Sequence, residues 1–426
     1  MTRRGETALR FSATGQLALR EEPVITRLMT AVLERPELLS LAAGFTDNSQ
    51  LPADSVDRAA AALRAKDPGK TYLQYGRNAG DPALRGALAA HLRTFPGETL
   101  PDIGADDFLV TNGSQQLLYM TVQLFCDPGD TVWVEAPSYF VFLELLRGLG
   151  VRPVSMPVTP DGVIDAVGCC RQLRAWRAKG VAGRPRLAYL MGAFANPSSR
   201  SLAADEKTAL AEALRAEAPD LPVVEDMAYR ELYFGEPPGV PSMLSMEVWR
   251  GHPVLYAGTL TKPFATGLKT GYGVTRSKTW REGLERIKGH QDFGSSQYAQ
   301  ALLREVMQSG DYARHLRGVR PFYAEKAALL ERVLEEAGLR TCGWDWESPA
   351  GGLLLWLRAP DGLDTSFDGR LWSAAMEESV LYVPGDLCFA EGVPRNFVRL
   401  SFGALAADRI GEAAQRFARA AARAAD

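Results

Sequence analysis

Little in this chain of 426 residues could hold a metal or a disulfide framework. There are four histidines (His91, His252, His290, His315) and five cysteines (Cys126, Cys169, Cys170, Cys342, Cys388). None forms a CxxC pair or stands at ligand spacing from another His or Cys, so no structural metal is expected. An odd, scattered cysteine set suits a reducing compartment, where buried thiols act as small hydrophobes. Positive charge is not in excess either. Lys and Arg number 48 against 51 Asp and Glu, for a net charge of −3, which favours no polyanion, so no nucleic-acid partner is expected. No run approaches the roughly 20 apolar residues of a membrane span. The basic start, MTRRGETALR, lacks the apolar core of a signal peptide. A cytoplasmic protein with no membrane partner is the expectation. Internal repeats and low-complexity linkers are also missing.

The composition, 46% apolar and 23% charged, is ordinary for a globular protein. The length suits a large domain plus a smaller one. Amphipathic and apolar segments alternate through the middle of the chain. PALRGALAAHLRTF, SQQLLYMTVQLF, VFLELLRGLG and ADEKTALAEALRAEA read as helices. FLVTNG, TVWVEAPSY, RLAYLMGAF, LPVVEDMAY and HPVLYAGTL read as strands. Such alternation predicts an α/β fold with a mostly parallel sheet flanked by helices. From about residue 315 a long helical pattern, RPFYAEKAALLERVLEEAG, precedes strand-like LLLWLR and NFVRLSF, as in a smaller α+β lobe. The Ala/Arg-rich C-terminus reads as a solvated helix face. The chain divides into an N-terminal segment, 1–60, belonging to the small domain, a large domain, 61–315, and a C-terminal small domain, 316–426.

Ligands of such sheets sit outside the carboxyl ends of the strands. There the sequence places Ser114, Gln115, Tyr139, Asn196, Asp226, Tyr229, Thr259, Thr261, Lys262 and Lys269. Lys262 alone would read as a solvated lysine; the set gives it another meaning. GTLTKPFATGLKTGYG resembles the lysine segment of the class I/II aminotransferases, fold type I enzymes dependent on pyridoxal 5'-phosphate (PLP). YLQYGRNAGDPALR, VTNGSQQ, VEAPSY, FANPSSRSL, VVEDMAYREL, PAGGLLLW and NFVRLSFG agree with the family in order and spacing, from about Gly44 to Gly403. Among its branches the chain looks most like the 2-aminoadipate and kynurenine type.

The resemblance implies a role for each residue. Lys262 would carry PLP as a Schiff base and shuttle the proton. Asp226 would pair with the pyridine nitrogen, so that the ring accepts the carbanion's electrons. Asn196 and Tyr229 would bond the ring O3′, and Tyr139 would stack on the ring. Backbone N–H groups of Ser114 and Gln115, with Thr259, Thr261 and Lys269, would hold the phosphate. Tyr75 would reach that phosphate from a second subunit of a homodimer. Arg399 would clamp the substrate α-carboxylate, with Gly44 and Asn196 beside it.

Three departures from the family pattern bear on the site. Lys269 stands where an arginine is usual. GAFANPSSR replaces PxxQNPTG, changing Gly192, Ala195, Ser198 and Ser199. FTDNSQLP puts Thr46, Asp47 and Asn48 near the substrate entrance, where Asp47 either attracts a cationic side chain or caps the next helix. The implied reaction moves an amino group between an L-amino acid and a 2-oxo acid. Elimination, cyclisation or oxygen-dependent oxidation on the same residues is the alternative. A PLP-sensing regulator is the more distant one, since the resemblance starting near residue 44 leaves little chain for a winged helix-turn-helix.

Overall fold

The structure, a computed structural model, describes residues 9–19, 23–35, 37–159, 161–180 and 183–425. Thirteen strands are described: β1 (Leu39–Ser40), β2 (Phe108–Thr111), β3 (Thr131–Val134), β4 (Arg152–Ser155), β5 (Leu187–Met191), β6 (Val223–Asp226), β7 (Val254–Thr259), β8 (Gly271–Val274), β9 (Asp345–Trp346), β10 (Leu354–Arg358), β11 (Val380–Leu381), β12 (Val383–Pro384) and β13 (Phe397–Ser401). Seven of them form the central sheet in the order β2-β8-β7-β6-β5-β3-β4. Within it β3, β4, β5, β6 and β7 pair in parallel, and β8 runs antiparallel to both neighbours. Strands β2, β3, β5, β6, β7 and β8 are buried along their whole length. Helices on both faces therefore cover the sheet, and its strands read as near-continuous apolar runs.

Local sequence chemistry sets these elements. The helix Pro82–Thr94 starts where Asp81 accepts from the N–H groups of Ala83 and Leu84, both at 2.9 Å, and where Pro82 needs no partner. Its Leu84, Leu88 and Leu92 recur every fourth residue on the buried face. The helix expected from about residue 315 begins slightly earlier, at Asp311, and runs through Pro321 to Glu336. The last helix, Ala407–Ala425, is less solvated than its composition suggests. Ala413, Ala414, Ala420 and Ala421 are buried, while Arg419 and Arg423 pair with Glu378.

A second, antiparallel sheet has the order β12-β13-β10-β9, and β1 pairs in parallel with β11. The N-terminal segment thereby joins the C-terminal part of the chain. A buried ion pair fastens it further on. Lys326 Nζ lies 2.9 Å from Asp47 Oδ2 and also donates to the carbonyls of Gly403 and Leu405. The other Asp47 oxygen accepts from the Ser49 N–H at 2.9 Å and its hydroxyl at 2.8 Å, capping the short turn Asn48–Gln50. Asp47 thus serves as a cap and an anchor. Removing one member strands the other charge in the interior, so Lys326→Met is expected to cost about 3 kcal/mol. A lower urea midpoint would show it, and Asp47→Ala in the same chain should restore part of the loss. An unchanged midpoint would mean that the pair contributes nothing.

Among the described residues no helix is long and apolar enough to cross a membrane, and no group of three or more His, Cys, Asp and Glu side chains could hold a metal ion.

Candidate active site

Parallel strands end along one edge of the sheet, and the side chains singled out above gather there. Asp226 is the last residue of β6, Thr259 the last of β7, and Tyr139 and Asn196 follow β3 and β5. Beyond β2 the chain enters the helix Gly113–Phe125 through Gly113, whose φ of +69° suits glycine. Gly271 of β8 packs against this turn so closely that a Cβ would lie 2.4 Å from the Gly113 carbonyl carbon. The first N–H groups of that helix, Ser114 and Gln115 among them, have no partner within the helix. A side chain at Gly113 would come within 3.8 Å of the Thr261 hydroxyl, which places that hydroxyl beside the helix N-terminus. Thr259 is more committed: its hydroxyl donates to the Thr270 carbonyl at 3.1 Å and accepts from the Thr261 N–H at 3.0 Å. Lys269 adopts left-handed backbone, is exposed, and its ammonium makes no ion pair among the described residues.

Two cations face the N-terminal segment. Lys262 Nζ donates to the Gly44 carbonyl at 2.5 Å. Arg399, on β13 and only 2% exposed, donates to the Ala42 carbonyl and, at 3.2 Å, to Asn196 Oδ1. Its buried Nε has no partner among the described residues. Burial pulls the Lys262 amine down to about 8, and the Arg399 guanidinium adds to the effect.

Asp226, at the end of β6, is a buried carboxyl. Its Oδ2 accepts from the Tyr189 hydroxyl at 3.0 Å and its Oδ1 from the Ala228 N–H at 3.0 Å. It makes no ion pair among the described residues. Burial pushes its carboxyl up to about 6, against the pull of those two donors. Tyr229 is also buried; burial raises its phenol to about 12 although Arg399 and the Asn196 side chain act the other way. Tyr139 opens the helix Phe140–Gly148, and burial raises its phenol as well.

Tyr75 stands apart from this cluster as an 89% exposed ring. Tyr189, the Ala42 carbonyl and Glu135 were not foreseen. Glu135 accepts from the Met191 N–H at 2.9 Å, and burial holds its carboxyl well above the usual range. Tyr189 lies inside an apolar strand run, and only the register of β5 on β6 brings it to Asp226.

The arrangement suits a phosphorylated cationic ring. A buried carboxyl without a cation fits a protonated ring nitrogen, and free N–H groups at a helix start fit a phosphate. A buried guanidinium nitrogen without a partner fits an incoming carboxylate. An amine of depressed basicity fits an aldehyde.

The comparisons with known proteins agree. Residues 36–417 match the family model for aminotransferase class I and II. The chain is 31% identical over 410 residues to a 2-aminoadipate transaminase of Thermus thermophilus, covering 96% of each. It is 27% identical to the mouse mitochondrial kynurenine/alpha-aminoadipate aminotransferase, covering 96% of this chain and 97% of that one. The crystal structure of an alpha-aminoadipate aminotransferase from Thermus thermophilus, complexed with N-(5'-phosphopyridoxyl)-L-leucine, superposes with a TM-score of 0.81. There the identity is 29%, and 97% of each chain is covered. The fold is that of the fold type I PLP enzymes, and the chain belongs to the class I and II aminotransferases.

Proposed function

We infer that this PLP-dependent aminotransferase takes its amino group from an L-amino acid whose α-carboxylate docks on Arg399, with Lys262 as the proton carrier. The observation that carries this reading is the pairing of the two cations with one short segment. Lys262 and Arg399 donate to carbonyls only two residues apart, those of Gly44 and Ala42. A carboxylate on Arg399 therefore brings its α-carbon close to the lysine amine.

Bound PLP supplies the electron sink for the α-carbanion. The chain supplies the rest. Lys262 would be the group that holds PLP, and its amine would move the α-proton. Asp226 would keep a proton on the ring nitrogen. Asn196 and Tyr229 would donate to the ring oxygen, and Tyr139 would cover a ring face. The Ser114 and Gln115 N–H groups, Thr261 and Lys269 would hold the phosphate, while Thr259 braces the turn that presents Thr261. Lys269 offers charge without the planar fork of an arginine.

A homodimer that shares its active sites is part of the proposal. Tyr75, Leu73 and Phe293 are 89%, 62% and 72% exposed. The segments that carry them touch, since a Cβ at Gly294 would meet the Arg77 carbonyl at 3.2 Å and the Tyr72 and Tyr298 rings are 6.0 Å apart. Clustered exposed apolar side chains of this kind mark an interface, and Tyr75 is the residue that would cross it. The pairing of β1 with β11 favours counting residues 1–60 with the small domain, 316–426, and residues 61–315 as the large one. A cytoplasmic location completes the reading.

The test is a half-reaction. Holoenzyme mixed with amino acid alone is expected to give one equivalent of 2-oxo acid and aminated cofactor, with no ammonia and no peroxide. Continuous release of ammonia, or of peroxide in air, would replace transamination by the lyase or oxidase reading.

A further inference from the structure

Tyr189 has no assigned part in the site, yet it is the side chain in direct contact with the buried carboxylate. It lies on β5, fully buried, with its ring against Phe142 at a centroid distance of 4.1 Å. Register places Met191 opposite Asp226 and Tyr189 two residues earlier on the same face of the sheet. Its hydroxyl reaches Asp226 Oδ2 at 3.0 Å, and the Ala228 N–H takes the other oxygen. A carboxylate held on both oxygens cannot rotate freely. Burial keeps the Tyr189 phenol protonated far beyond neutral pH, so that it acts as donor and Asp226 as acceptor.

We propose that Tyr189 is a positioning residue for the reaction, its hydroxyl holding Asp226 as an oriented anion that keeps a proton on the cofactor's ring nitrogen. The proposal rests on the role given to Asp226 above. The physical reason is competition for one proton. Asp226 and the ring nitrogen can share it as carboxylate and ring cation or as carboxylic acid and neutral ring. A donor on the carboxylate favours the first arrangement, and only the ring cation is a strong electron sink. The other titratable groups facing Asp226 are Tyr139 and Tyr229, which follow β3 and β6, and Glu135, which follows β3. Burial disfavours the charged form of each. Among the described residues no other side chain donates a hydrogen bond to the carboxylate.

The test is made on holoenzyme with Tyr189→Phe, which removes one oxygen and keeps the ring. A ring cation lowers the pH midpoint of the visible band of the lysine–cofactor linkage, so the variant's midpoint is expected to rise. Its kcat is expected to fall about tenfold, as for the loss of a hydrogen bond to a charged group, with KM for the amino acid little changed. Fluorotyrosine placed at 189 alone is a stronger donor of the same shape and should move the midpoint down. It keeps the proposal testable if the phenylalanine variant does not fold. In an Asp226→Asn background neither replacement should have any effect. An unmoved midpoint, or an equal loss in that background, overturns the proposal. An Asp226→Asn enzyme with full activity would sink the role of Asp226 itself, which a silent Tyr189 alone would leave standing.

Discussion

Lys262→Ala is expected to lower transamination by about a thousand-fold or more, since in its proposed role Lys262 is both the amine that links to PLP and the base that moves the α-proton. The purified variant should lack the visible band of the linkage while PLP still associates through the phosphate contacts. An added primary amine should restore part of the rate, because it supplies a base without replacing the fold. The depressed basicity of Lys262 adds a pH signature. Only the neutral amine attacks an aldehyde, and burial with the Arg399 charge brings its midpoint to about 8 from an ordinary 10.5. Capture of PLP by the apoprotein should therefore speed up as pH rises and level off above pH 8. A rate still climbing at pH 10 would show a solvated lysine, and an active Lys262→Ala enzyme would remove it from the reaction.

Asp226→Ala is expected to lower kcat by about a hundred-fold or more, with a smaller change in KM, because in the proposed arrangement the ring nitrogen would lose the anion that keeps it protonated. The buried carboxyl also affects the apoprotein. Its folded pKa of about 6 lies above the ordinary 3.8, so burying the anion costs stability. That cost is absent in acid, appears as pH rises through 3.8, and is complete above about 6. Two pKa units correspond to about 3 kcal/mol at neutral pH. A ring cation supplied by PLP offsets it, so the stabilisation that PLP gives should be larger for the native chain at pH 7 than for Asp226→Ala. Equal stabilisation of both would separate Asp226 from the ring nitrogen.

How far the sequence reveals this site depends on whether a residue's partner is local. Apolar runs such as RLAYLMGAF and LPVVEDMAY mark buried parallel strands because nothing polar survives between two covering layers. Their polar ends mark the edge where Asp226, Asn196 and Thr259 gather. GYGV was not separated from the lysine segment as a strand, since its glycines carry no β signal; Gly271 is needed for close approach to Gly113, and Gly273 for close packing against Leu117 and Leu255. Tyr189 could not be singled out, because its meaning depends on a register between two strands. The roles of Asp47 and Lys326 depend on a contact across a sequence separation of 279, and the sequence left Asp47 open between two readings. The departures at Ala195, Ser198 and Ser199 were legible, yet only the fold shows the Ser199 hydroxyl bonded to the Leu354 carbonyl at 2.6 Å.

The pairing of β1 with β11 has a consequence for synthesis on the ribosome. Leu39 and Ser40 emerge early, but their partners Val380 and Leu381 are translated some 340 residues later. Until then the Ala42 carbonyl lacks its donor, because Arg399 does not yet exist to meet it. The large sheet can form during translation, since its last strand ends at Val274. The wall proposed to receive substrate closes only near chain release, so the nascent chain can acquire the turn proposed to hold phosphate well before it could turn over an amino acid.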